Sequence, residues 1–134
     1  MTKLSRSLGF LFTLIFLFAI TGCNNSSGSR SMNFIGESEH WIANYSISQG
    51  QSQTNIGKIS YKGTDVESVG LVKYAFEASP YVGVNGSIDL PPRGYIELTN
   101  TSSKGPYPNK DLVIKAKIEW NGQIENMDLK YTNQ

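Results

Sequence analysis

The chain has 134 residues, room for one folded domain or at most one and a half. Twelve basic and 11 acidic residues leave a formal charge of +1, without the basic excess of a nucleic-acid-binding module. A single cysteine, Cys23, excludes an intramolecular disulfide framework and a cysteine-ligated zinc cluster, and a single histidine, His40, excludes multi-histidine metal centres.

The chain opens on a targeting pattern. Lys3 and Arg6 precede an apolar run of 13 residues, Leu8–Ile20. That run falls short of the ~20 residues that cross a bilayer as a helix, but it suits the core of a signal peptide. Small residues then lead into Ile20-Thr21-Gly22-Cys23. This tetrapeptide resembles the lipobox of bacterial lipoproteins, with Ile20 where leucine is more usual. The resemblance implies cleavage between Gly22 and Cys23 and a diacylglycerol thioether on Cys23. It makes Cys23 the new N-terminus, on the extracytoplasmic face of the cell membrane. Each buried methylene of an acyl chain such as palmitate contributes about 0.8 kcal/mol, and two chains hold where one exchanges. An uncleaved anchor, or secretion with cleavage elsewhere, accounts less well for the Gly-Cys position.

Residues 1–22 therefore read as signal peptide, 23–31 as lipidated cysteine and tether, and 32–134 as the folded domain. Loss of Lys3 and Arg6 leaves 10 basic against 11 acidic residues, a net charge of −1. The tether, Asn24-Asn25-Ser26-Ser27-Gly28-Ser29-Arg30-Ser31, is small, polar and without periodicity. Such a segment behaves as a flexible coil of roughly 15–18 Å reach.

Beyond it the pattern is period-two alternation broken by turn chemistry, with no amphipathic helix. Glu39–Ser48 reads as the first strand, with Trp41, Ala43, Tyr45 and Ile47 on one face and His40, Asn44, Ser46 and Ser48 on the other. A Gln/Ser/Gly loop follows to Asn55, then a short strand over Ile56–Lys62. Lys62-Gly63-Thr64-Asp65 turns the chain into a longer strand, Val69–Ala78, stopped at Ser79-Pro80 because proline cannot donate to a ladder. Tyr81–Asn85 reads as a short strand, Asn85-Gly86 as a turn and Ile88–Leu90 as a brief segment. Pro91-Pro92-Arg93-Gly94 breaks the chain again before a strand at Tyr95–Thr99. Asn100–Lys110 reads as a long loop. The clearest signal is last. Leu112, Ile114, Ala116, Ile118 and Trp120 alternate with Lys115, Lys117 and Glu119. Asn121-Gly122 then suits a type I′ turn, and Met127, Leu129 and Tyr131 return in phase.

Six to eight antiparallel strands, each with one apolar face, imply an immunoglobulin-like β-sandwich in architecture; a small open β-barrel is the alternative. Lys115, Lys117 and Lys130 on the outer face of the terminal hairpin are expected to guard a sheet edge.

Three groups of residues carry candidate chemistry. Glu37, Glu39 and His40 could bind a divalent ion or transfer protons, but strand alternation turns His40 away from the two carboxylates. A solvated strand entry ahead of a core Trp41 is the structural alternative. Asp65 and Glu67 read as turn chemistry and supply too few oxygens for calcium. Arg93 and Tyr95, beside Pro91-Pro92, and Tyr107, between Pro106 and Pro108, carry side chains favoured at binding hot spots. If their loops meet, they form a surface for a protein, peptide or glycan. No Gly-x-Ser-x-Gly and no phosphate-cradling glycine loop occurs. No cofactor or metal is implied.

Two segments, Gly36-Glu37-Ser38-Glu39-His40-Trp41 and Ile118-Glu119-Trp120-Asn121-Gly122-Gln123, resemble short lipoproteins of Gram-positive, Bacillus-type bacteria. Asparagine often stands in those proteins where His40 stands here. The resemblance implies a place at the cell envelope and imports no activity. The expected role is a membrane-anchored, non-catalytic binding module; a protective or structural envelope protein is the alternative, and a hydrolase using Glu37, Glu39 or His40 comes third.

Overall fold

The computed structural model describes residues 28–102 and 105–133. Gly22, Cys23 and the signal segment lie outside the described residues. Among the described residues there are eight strands and no helix. They are β1 (Arg30–Glu37), β2 (Trp41–Gln49), β3 (Gln53–Tyr61), β4 (Leu71–Ala78), β5 (Val82–Asp89), β6 (Tyr95–Ser102), β7 (Ile114–Trp120) and β8 (Gln123–Thr132).

All eight strands form one antiparallel sheet in the order β5-β4-β7-β8-β1-β2-β3-β6, curled into an open half-barrel. The all-β class holds, and the arrangement is the open-barrel alternative rather than two separate sheets. Two four-stranded halves are joined where β8 meets β1, at Asn33↔Thr132, Phe34↔Tyr131 and Ile35↔Lys130. Chain connectivity forces the curl. Laid flat, eight strands would hold the edge strands β5 and β6 about 34 Å apart. The connection from Asp89 to Tyr95 reaches at most about 21 Å. The halves must therefore bend toward each other, and their inner faces meet across the core. Tyr45 of β2 packs on Phe76 of β4 with ring centroids 5.2 Å apart, and Trp41 of β2 meets Trp120 of β7 at 5.3 Å.

The alternation anticipated for β2 and β7 is observed residue by residue. Trp41, Ala43, Tyr45 and Ile47 are buried, as are Ile114, Ala116, Ile118 and Trp120. Asn121 and Gly122 carry φ of 46° and 71°, the double positive φ of a type I′ turn.

Several local readings change: β6 continues through Ser102 into the segment read as a loop, and β4 starts at Leu71 rather than Val69. β1 places a strand ahead of the first one expected, with Met32 and Phe34 inward, and it begins at Arg30 inside the segment read as tether. β3 begins at Gln53 rather than Ile56, because Gln53 and Asn55 face the core and satisfy each other: Gln53 Nε2 donates to Asn55 Oδ1 at 3.3 Å. β5 runs unbroken through Asn85-Gly86, which is not a turn. Gly86 lies opposite Tyr74 on β4, and a Cβ there would stand 2.5 Å from the Tyr74 hydroxyl. The glycine makes room for a neighbouring ring. The terminal hairpin is not an edge either, since β7 and β8 lie inside the sheet and β5 and β6 are the edges. Lys115 instead pairs across strands with Asp128, at 2.7 Å.

Candidate functional site

The two ends of the half-barrel differ in chemistry. One end gathers the start of β1, the end of β2, the start of β3 and the loop after β6. There Gly105 N donates to Gln53 Oε1 at 3.2 Å, and Gln49 Nε2 donates to the Gly105 carbonyl at 3.0 Å. Tyr107 sits in this loop, half-buried against the core. Burial raises its phenol pKa; the nearby Arg30 charge lowers it and Tyr131 raises it.

The opposite end gathers the β1–β2 turn, the start of β8 and the connections after β3 and β5. Tyr61 N donates to the Gly94 carbonyl at 2.9 Å, which binds the Pro91–Gly94 turn to the end of β3. Beside it the Tyr95 ring is flanked by two cations, with Lys58 Nζ at 4.1 Å and Arg93 Cζ at 4.5 Å from its centroid. Arg93 and Tyr95 therefore belong together. Tyr107 does not join them, because β6 runs between the two loops and holds them at opposite ends of the sheet.

The β1–β2 turn carries the densest polar cluster of the described residues. Ser38 N donates to the Trp41 carbonyl at 2.9 Å and closes a tight hairpin. Strand alternation therefore lapses between Ser38 and His40. The expectation that parity sends His40 away from Glu39 fails for this reason: a turn, not a strand, holds them. Glu37 is not part of the cluster; its carboxylate lies 3.8 Å from Lys62 Nζ.

The residue that completes the cluster is Glu125 on β8. Its Oε2 accepts from the Ser38 hydroxyl at 2.5 Å and from the His40 backbone N–H at 3.1 Å. Its Oε1 lies 2.5 Å from His40 Nδ1. Burial of Glu125 raises its carboxyl pKa. The Ser38 and His40 hydrogen bonds and the His40 charge outweigh this and hold it below the ordinary 4.5. The glutamate thus stays ionised while clamped between a turn and a strand.

Aromatic rings back the cluster. His40 lies 5.6 Å from Trp120, which meets Trp41 edge-on, and Trp41 in turn packs 5.1 Å from Tyr61. Trp41 is fully buried, and its Nε1 has no hydrogen-bond partner among the described residues. Gly36–Trp41 and Ile118–Gln123, distant in the chain, meet here through His40, Trp41 and Trp120.

The geometry limits the chemistry. Ser38 donates to the carboxylate rather than to His40, so the imidazole is not placed to remove its proton, as a nucleophilic serine requires. Asp65 and Glu67 are exposed in the β3–β4 connection, where Ser68 Oγ donates to the Asp65 carbonyl at 2.9 Å. Sequence reasoning missed Glu125 because it lies 85 positions from His40, at the start of a strand where it shares the inward parity of Met127 and Leu129 and looks like an ordinary strand entry. Compared with family models, curated proteins and solved structures, the chain finds no match.

Proposed function

We propose that this chain is a lipid-anchored module on the extracytoplasmic face of a bacterial membrane, and that its half-barrel binds a partner rather than catalysing a reaction. The observation that carries the anchor is Ile20-Thr21-Gly22-Cys23 directly behind a 13-residue apolar run with Lys3 and Arg6 ahead of it.

The fold gives this reading a direction. Seven positions separate Cys23 from Arg30, where β1 begins. That stretch reaches about 25 Å fully extended, and about 15 Å as a coil. An anchor at Cys23 turns the Tyr107 end toward the membrane. Strands of this length then carry the opposite end roughly 25 Å farther out. That outer end holds Ser38, His40, Glu125, Arg93 and Tyr95, side chains suited to a protein, peptide or glycan partner. Support for binding over catalysis comes from Ser38, whose hydroxyl is committed to Glu125.

The test is expression of the full chain and of Cys23→Ser in a Gram-positive host fed labelled palmitate. The wild type is expected to take up label and to partition with membranes, and the variant to do neither. An unlabelled wild-type chain in the aqueous phase overturns the anchor. A photo-crosslinker at Arg93 in intact cells tests the binding half: a discrete adduct is expected, and none from the Tyr107 end. Absence of any adduct at Arg93 overturns that half.

A further inference from the structure

Three metal-ligating side chains converge at the outer end of the half-barrel. One donor atom each from Glu39, His40 and Glu125 lies within 4.8 Å of the other two. We propose that these residues bind a divalent transition-metal cation of the zinc class through one imidazole nitrogen and two carboxylate oxygens, with a remaining position open to solvent.

The donor set selects the ion. One nitrogen and two oxygens suit zinc and its first-row neighbours. Calcium takes six to eight oxygens and magnesium a near-ideal octahedron, which two carboxylates do not supply.

The donors are also held in place. Glu125 Oε2 is occupied by the Ser38 hydroxyl and the His40 backbone N–H, which leaves Oε1 directed at His40 Nδ1. Outer hydrogen bonds of this kind orient ligating carboxylates in metal sites. The imidazole is braced by Trp120, 5.6 Å away. Glu39 is exposed and has no ion-pair partner among the described residues. The neighbouring cation, Lys62, is engaged elsewhere: its Nζ donates to the Ser38 carbonyl at 2.9 Å and lies 3.8 Å from Glu37. The cluster thus carries two carboxylates with only His40 between them.

The His40–Glu125 spacing requires little adjustment, and the exposed Glu39 side chain, its donor atom within 4.8 Å of both, closes on the ion by rotation. Zinc–nitrogen and zinc–oxygen bonds of about 2.0–2.2 Å at a tetrahedral angle put nitrogen and oxygen about 3.3 Å apart. His40 Nδ1 and Glu125 Oε1 are 2.5 Å apart, bridged by a proton. Opening the pair by about 0.8 Å seats the ion where that proton lies. The ion displaces the Nδ1 proton, which moves to Nε2 of a neutral imidazole or leaves to solvent from a doubly protonated one, so the bound imidazole is neutral with its proton on Nε2. The His40 and Glu125 side chains are 38% and 16% exposed, so the ion enters from solvent without unfolding. The bound ion ties the β1–β2 turn to β8, beside the junction of the two halves.

The site goes beyond the anchored-module reading and does not depend on it; its failure leaves the Cys23 lipid test untouched. The experiment uses the full chain in detergent, stripped with EDTA and titrated with zinc chloride by calorimetry and with cobalt chloride by visible absorption and tryptophan fluorescence. One saturable site of micromolar affinity is expected. Cobalt binding should give a tetrahedral absorption band and quench fluorescence through Trp120. Glu39→Gln is expected to weaken binding about tenfold or more without changing the melting of the metal-free chain. Ser38→Ala should cost about tenfold by freeing Glu125, and His40→Gln should abolish the cobalt band. Absence of saturable binding below about 1 mM overturns the proposal. So does wild-type affinity retained in both Glu39→Gln and His40→Gln, which would place the ion elsewhere. If His40→Gln fails to fold, Glu39→Gln decides alone, because Glu39 is exposed and supports no neighbour.

Discussion

Gly36→Ala probes the junction that makes one sheet of two halves. Gly36 is on β1 next to Ile35, which pairs with Lys130 of β8. A Cβ at Gly36 would stand 2.7 Å from the Asp128 carbonyl oxygen and 3.1 Å from Leu129 Cδ1. The first neighbour is backbone and cannot swing aside, so β1 and β8 must separate. Overpacking of this kind costs about 1–3 kcal/mol. For a domain of about a hundred residues that lowers the melting temperature by on the order of 10 °C. The sign is what discriminates. An alanine replacing glycine at an unstrained position stabilises by about 0.4–1 kcal/mol, because the unfolded chain loses freedom. Gly83 on β5 is such a position, with nothing within 4 Å of its Cβ. Thermal denaturation followed by circular dichroism should therefore show Gly36→Ala melting well below the wild type and Gly83→Ala a few degrees above it. A Gly36→Ala variant that melts at or above the wild-type temperature refutes the close approach of β1 to β8, and with it the single curled sheet.

The β1–β2 turn, its glutamate on β8 and the core carry further expectations. Glu125→Gln in metal-free buffer should lower stability by about 1–2 kcal/mol near neutral pH, through its hydrogen bonds with Ser38 and His40. Because the folded carboxyl pKa lies below the ordinary 4.5, this contribution is present above 4.5 and lost as pH falls through the folded value. Denaturant titrations at stepped pH should show the gap between wild type and variant narrowing as pH falls below 4.5, and a gap that does not change with pH across the acid range contradicts the assignment. Phe76→Ala empties a fully buried ring site against Tyr45 and should cost about 3–5 kcal/mol; a loss under 1 kcal/mol would mean that the two halves do not pack there. Burial raises the Tyr45 phenol pKa, although its hydrogen bond with Asn55 lowers it in part. An alkaline absorbance titration should therefore contain a late-ionising tyrosine that Tyr45→Phe removes, and an unchanged late phase in that variant would exclude Tyr45 as its source.

Much of the fold was legible wherever one residue alternates with the next. Trp41 to Ile47 and Ile114 to Trp120 bury the residues their period assigns, and Asn121-Gly122 turns where two positive φ values are needed. Alternation failed where polar or small residues replaced the apolar signal. Gln53 and Asn55 point inward as a bonded pair, so β3 looked shorter than it is. Gly86 read as a turn because glycine's vacancy for the Tyr74 ring leaves no mark in the local pattern.

The candidate site divides in the same way. Glu39 and His40 could be picked out as chemically capable from residue type. Their convergence could not, because parity arguments assume a strand and the Ser38–Trp41 hydrogen bond makes a turn. Glu125 reaches them from 85 positions away, a contact that no local pattern encodes. Arg93, Tyr95 and Tyr107 were equally visible, yet β6 separates Tyr107 from the other two by its length.

Local order thus set the strand type, the buried face and the last hairpin, because each depends on side chains a few residues apart. Whether those strands made two sheets or one rested on the β8–β1 pairing and on a short link between edge strands, both of which join parts distant in the chain. The proposed anchor motif needs no fold to be read, whereas the cluster of Glu39, His40 and Glu125 exists only after β8 has paired with β1. A short motif acts through adjacent residues; a site at the end of a sheet acts through whichever residues strand pairing brings together.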